Sequence, residues 1–177
     1  MKTIVLCRHA KSDWPDNLAD IERPLKPRGE KDARHLGRFL SKKGFTPDII
    51  LSSPATRAIS TAQIVANELG YPLDLIQIKS SIYYEGSGGL LSLLQGLPDE
   101  AETVMVFGHN PTMEQSVKYF LQMASPFQMP TAGMVCFETQ NTYWKHLGSL
   151  AARLRWMLIP RLQRKKENSG TAGLGEF

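Results

Sequence analysis

The chain has 177 residues, 42% of them hydrophobic and 21% charged, which suits one soluble domain with a substantial core. No apolar run approaches the roughly 18 residues of a membrane-spanning helix, and the Ile4–Cys7 run is too short for a signal-peptide core, so the cytoplasm is the expected compartment and no membrane partner is expected. The formal charge is +4, but Arg161, Arg164, Lys165 and Lys166 place half of that excess near the C-terminus. No aromatic residues interleave with a basic stripe, which argues against nucleic acid.

The first predicted element is a strand over Lys2–Cys7, a continuous β-branched run suited to burial on both faces. A polar loop, Arg8–Pro27, follows, and a loop of that length in a compact domain is usually functional or disordered. Ala33, Leu36 and Leu40 mark the inner face of a helix over Arg28–Lys43, stopped by Gly44. Asp48–Leu51 reads as a second strand. Ala58, Thr61, Ala62, Val65 and Leu69 then give a helix that Gly70 terminates. Asp74–Ile78 is expected as a third strand, Gly89–Gln95 as a short helix, Thr103–Phe107 as a buried strand and Thr112–Met123 as a helix. The last elements are a strand over Ala132–Phe137, a helical turn near Trp144 and a strand over Arg153–Ile159. A single domain over residues 1–162 is expected, with a basic, then Gly- and Ser-rich, flexible tail over 163–177.

Alternation of buried strands with amphipathic helices predicts an α/β fold, a three-layer sandwich whose mostly parallel central sheet carries helices on both faces. In such sheets ligands bind beyond the carboxyl ends of the strands. Arg8 and His9 follow the first strand, Arg57 follows the second, and His109 follows Thr103–Phe107. Parallel strands would bring all four to one edge. Two guanidiniums suit phosphate oxygens, and two imidazoles can serve as nucleophile or as clamp. Together they meet the positioning and charge needs of phosphoryl transfer. Neither the two cysteines, Cys7 and Cys136, nor the histidines have metal-ligand spacing. Both cysteines are expected as buried, reduced thiols, and no metal or cofactor is expected.

At these residues the sequence resembles the histidine phosphatase superfamily, whose fold is also called phosphoglycerate mutase-like, and within it the SixA-type phosphohistidine phosphatases. The matching segments are Arg8-His9-Ala10-Lys11-Ser12, Arg23-Pro24-Leu25 with Arg28-Gly29, Ser53-Pro54-Ala55-Thr56-Arg57-Ala58 and Gly108-His109-Asn110-Pro111. The resemblance implies that His9 is phosphorylated during turnover and that Arg8, Arg57 and His109 hold the phosphoryl oxygens. Ser12 and Asn110 would line the pocket or shape turns. Arg23 would pair with Asp20 or Glu22 and pin the long loop. Many family members carry an acid between the third strand and the next helix, and Glu85 in Tyr83-Tyr84-Glu85-Gly86-Ser87 stands there, as proton donor or as a helix N-terminal anion. Asp13 and Asp16 are weaker candidates for the acid. The implied partner is a phosphorylated substrate, a phosphohistidine protein or a small phosphomonoester. A non-catalytic phosphate-binding module is the reading from a different class.

Overall fold

A computed structural model describes residues 1–160; the expected tail over 163–177 lies outside them. The strands are β1 (Lys2–Arg8), β2 (Ile49–Ser52), β3 (Gln77–Ile78), β4 (Thr103–Gly108), β5 (Met134–Thr139) and β6 (Arg153–Leu158). The helices are α1 (Pro27–Lys42), α2 (Thr56–Leu69), α3 (Ser81–Tyr84), α4 (Gly86–Gln95) and α5 (Thr112–Phe120). One mixed sheet orders the strands β3-β2-β4-β1-β5-β6. The neighbours from β3 to β1 pair in parallel, and β5 runs antiparallel to both β1 and β6.

Successive side chains of a strand point to opposite faces, and β1 feeds two cores in that way. Ile4 and Leu6 join Val104 and Val106 under Leu90, Leu94, Met113 and Val117 of α4 and α5. Val5 and Cys7 join Met105 and Phe107 under Ala33, Leu36 and Leu40 of α1 and Ala62 and Val65 of α2. This two-sided cover explains why β1 and β4 read as unbroken apolar runs. Burial pushes the Cys7 thiol well up and the Cys136 thiol up to about 12, and neither is in a disulfide. A thiol held protonated is a poor nucleophile.

Several elements depart from expectation: α3 is unanticipated, and α4 begins at Gly86 rather than Gly89. The third strand shrinks to Gln77–Ile78, because Leu73–Leu75 winds into a 3-10 turn with Leu73 and Leu75 exposed at the sheet edge. The α5 helix stops at Phe120, where Gln122 takes a left-handed φ of 50° and Met123 N–H turns back to the Lys118 carbonyl. The fifth strand starts at Met134, since Ala132 is left-handed (φ 57°) with its N–H on the His9 carbonyl. The expected turn near Trp144 is a 3-10 helix over Trp144–His146. Among the described residues no helix is long and apolar enough to cross a membrane.

Candidate active site

The register of β1 on β4 places Arg8 opposite Gly108. The next residues are His9 and His109, and the ladder continues into them, since His9 N–H bonds the Gly108 carbonyl at 2.9 Å. The two rings lie 5.1 Å apart, tilted by 49°. On the far side of β4, Ser53 N–H bonds the Phe107 carbonyl at 2.9 Å as β2 ends. Ser53 Oγ then meets His109 Nε2 at 2.6 Å. Two residues beyond Ala55, the N-cap of α2, stands Arg57, buried in the first turn of the helix.

The chain leaving β1 is tied to α2. Ala10 N–H donates to Thr61 Oγ1 at 3.0 Å, and that hydroxyl donates to the Arg57 carbonyl at 2.6 Å. It is also pressed against α1, where Lys26 N–H bonds the Lys11 carbonyl at 2.8 Å. At Gly29 any Cβ would collide with that same Lys11 carbonyl. Only glycine permits so close an approach.

His9 is 8% exposed, and its Nδ1 lies 2.8 Å from the Ala10 carbonyl. A carbonyl can only accept, so Nδ1 carries the proton and Nε2 keeps its lone pair. Burial, then the charges of Arg57, Arg8 and Arg23, lower the His9 pKa to about 4 against the help of the Ala10 carbonyl. Burial and the proximity of His9 and Arg57 lower His109 to about 3. Both imidazoles are therefore neutral at physiological pH, inside a ring of guanidiniums.

The two arginines are held in similar ways. Arg8 Nη1 donates to the Met129 carbonyl at 2.7 Å. Arg57 Nη2 donates to Asp20 Oδ2 at 2.8 Å and its Nη1 to the Asp20 carbonyl. In each, Nε–H is buried without an acceptor, and His109 Nδ1 is likewise unpartnered. Buried donors without partners are costly and rare. An oxyanion of phosphate is the kind of acceptor that would satisfy them.

Other candidates fall into supporting positions. Ser12 Oγ accepts from Arg23 Nη2 at 2.8 Å. Of the two partners expected for Arg23, the structure selects Asp20 (Nη1 to Oδ1, 2.9 Å), while Glu22 Oε2 accepts from Ala19 N–H. Asn110 Nδ2 donates to Glu114 Oε1 (2.6 Å) and to the Met129 carbonyl (3.1 Å), leaving a buried Oδ1 without partner. Glu85 is exposed at the N-cap of α4. Its carboxylate lies over the first turn of that helix, with Oε2 2.9 Å from where a Cβ on Gly89 would stand. Asp13 pairs with Lys26 at 3.1 Å, and Asp16 is exposed. Sequence reasoning did not single out Ser53, Thr61, Tyr83 or Glu114, and it met Asp20 only as a partner of Arg23. Hydroxyls and carboxylates in ordinary loop and helix positions carry no spacing signal.

The two depressed histidines set a pH response. Unfolded, they bind protons near the ordinary value of about 6.5, so the unfolded chain holds more protons between there and the folded values. Their contribution to stability is full above pH 6.5 and is lost as pH falls toward 4. We expect the thermal midpoint to drop from pH 7 to pH 5, and to drop less in His9→Asn. An equal drop in both proteins would refute the neutral, buried assignment of His9.

A family model described as "Histidine phosphatase superfamily (branch 1)" matches residues 4–78. An uncharacterised chloroplastic protein of Arabidopsis thaliana is 28% identical over 89% of this chain and 75% of its own length. A 2,3-bisphosphoglycerate-dependent phosphoglycerate mutase of Nitratidesulfovibrio vulgaris is 36% identical over 67% of this chain, which spans only 47% of the mutase. A crystal structure described as a phosphohistidine phosphatase SixA of Agrobacterium tumefaciens superposes with a TM-score of 0.76 at 28% identity, covering 90% of this chain and 98% of that one. The family match runs from β1 through Arg57 and the fold match extends past His109, so over these segments the chain is similar to the histidine phosphatase superfamily and shares its fold.

Proposed function

We propose that the protein is a phosphatase that works through a phosphohistidine at His9, and that its substrate is phosphohistidine in a protein. The observation that carries the reading is the bare Nε2 of a neutral His9 beside two arginines whose Nε–H groups lack acceptors. The Nε2 lone pair attacks phosphorus, and the bond from phosphorus to the leaving group breaks with its electron pair. Water then attacks phosphorus, the P–Nε2 bond breaks, and the pair returns to the imidazole. Splitting one displacement into two is the gain of covalent catalysis. Arg8, Arg57 and His109 hold the equatorial oxygens and supply the charge stabilisation themselves.

The substrate reading rests on the leaving group. An alkoxide wants a proton, a contribution typically worth about 10²–10⁴-fold, whereas an imidazole leaves from phosphorus more readily. Asp20 touches the site, but hydrogen bonds from Tyr83, Arg23 and Arg57 hold its carboxyl well below the usual carboxylate range, so it has no proton to give. Of the acids expected from the sequence, Glu85 lies against α4, Asp13 is paired with Lys26 and Asp16 is exposed. The likeness to a structure described as a SixA phosphohistidine phosphatase points the same way. The free, buried thiols Cys7 and Cys136 suit a reducing compartment, and the cytoplasm is part of the same proposal.

The test compares a phosphohistidine peptide, an aryl phosphate and an alkyl phosphate, each with the wild type and Glu85→Gln. We expect rapid turnover of the peptide and less than a threefold effect of Glu85→Gln on any substrate, a bound set by the weakness of an unused acid. A loss confined to the alkyl ester would identify Glu85 as the acid and favour a small-molecule phosphomonoesterase. Phosphate binding without hydrolysis of any of the three would leave a binding module.

A further inference from the structure

Arg57 has both terminal nitrogens engaged, and by a single residue outside the four motif positions. Asp20 lies in the short 3-10 turn Asp20–Glu22, within the long loop after β1. Its Oδ2 takes Arg57 Nη2 at 2.8 Å, its backbone carbonyl takes Arg57 Nη1, and its Oδ1 takes Arg23 Nη1 at 2.9 Å. Tyr83, just after β3, donates its hydroxyl to the same Oδ2 at 2.6 Å, and its ring stands edge-on to His109 at 5.3 Å. Arg23 is fixed in turn by Ser12 Oγ, the Asp13 carbonyl and the Trp14 ring, 3.5 Å from its guanidinium carbon.

We propose that Asp20 is a positioning residue for catalysis, gripping the Nη edge of Arg57 so that the Nε edge is presented to the phosphoryl group, with Tyr83 fixing the carboxylate. The inference rests on the phosphatase reading and goes beyond it by giving the long loop a task. An arginine has five N–H donors in a rigid fork. Engaging both terminal nitrogens from one residue fixes the plane of the guanidinium, and Nε–H is the donor left buried and unpartnered. Small misplacements of a group that holds the reacting phosphorus are expensive, about 10²-fold for 1 Å. A carboxylate so close to a phosphate site opposes anion binding by charge, so its presence needs this geometric return.

The experiment is a double-mutant cycle between Asp20→Ala and Arg57→Ala, read on kcat/KM for an aryl phosphate and on the affinity for inorganic phosphate. In the wild-type background Asp20→Ala should lower kcat/KM by about 10–100-fold. In the Arg57→Ala background it should lower it by less than about threefold, since coupled residues are not additive. Tyr83→Phe, a milder change that keeps the ring, should cost about 2–10-fold with Asp20 present and nothing measurable in Asp20→Ala. Thermal midpoints separate these effects from unfolding. Equal losses in both backgrounds, or a gain in phosphate affinity or rate on removing Asp20, would overturn the inference; the gain would make the loop a competitor for the phosphate site. If instead Arg57→Ala alone leaves turnover and phosphate affinity unchanged, the phosphatase reading itself has failed. Should no substrate be turned over, the phosphate affinities still read the cycle.

Discussion

His9→Ala is expected to lose turnover of every phosphorylated substrate by on the order of 10⁴-fold or more, the scale seen when a covalent nucleophile is removed. The same variant should lose acid-labile labelling by a radioactive phosphodonor, which the wild type acquires in a single turnover. The argument is atomic. Nδ1 is committed to the Ala10 carbonyl, so Nε2 is the one basic ring atom left for phosphorus. At the neighbouring His109, Nε2 is already engaged by Ser53 Oγ at 2.6 Å. A His9→Ala enzyme with near-normal rate, or one that still accepts label, would remove the covalent mechanism. The fold should survive, since the ring carries one local hydrogen bond and the backbone ladder to Gly108 does not depend on it.

Arg57→Ala should reduce kcat/KM by about 10²–10³-fold, the cost of one preorganised donor to a developing oxyanion. Arg57→Lys should rescue little, because an ammonium offers neither the planar fork nor simultaneous contact with Asp20 and phosphate. Stripping a buried charge of its only partner commonly costs about 3–5 kcal/mol. The stability loss here should be smaller, because Asp20 is partly exposed and keeps Arg23 and Tyr83. A thermal midpoint near that of the wild type, together with the rate loss, is therefore the expected pair. Rate and midpoint falling in step would mean that Arg57 is a structural strut.

Much of this was legible in the residues. The apolar runs of β1 and β4 identified strands buried on both faces, and polar residues standing at their ends located the edge where His9, Arg57 and His109 meet. What the chain did not advertise was the support. Asp20 reads as a loop carboxylate with an arginine three residues on, and Tyr83 as an aromatic near a helix start. Their meeting on Arg57 depends on how the loop folds back over α2, which no local spacing encodes. The same holds for Glu114, whose Oε1 gathers Asn110 and the Met129 N–H from a distant loop. The shortened β3 was equally hidden: Asp74–Ile78 has strand-like composition, but β2 offers it only Leu51 and Ser52 as partners.

The pairing of Arg8 with Gly108 has an implication for how this protein tolerates change. The separation of the two imidazoles is fixed by main-chain hydrogen bonds between β1 and β4, not by the identity of the apolar side chains beneath them. Swaps among similar-sized aliphatics in those strands should leave the chemistry nearly intact. Deleting a single residue from either strand would slide one histidine about 3.3 Å along the sheet and turn the strand's side chains to the opposite face, ending catalysis without touching any group that contacts phosphate.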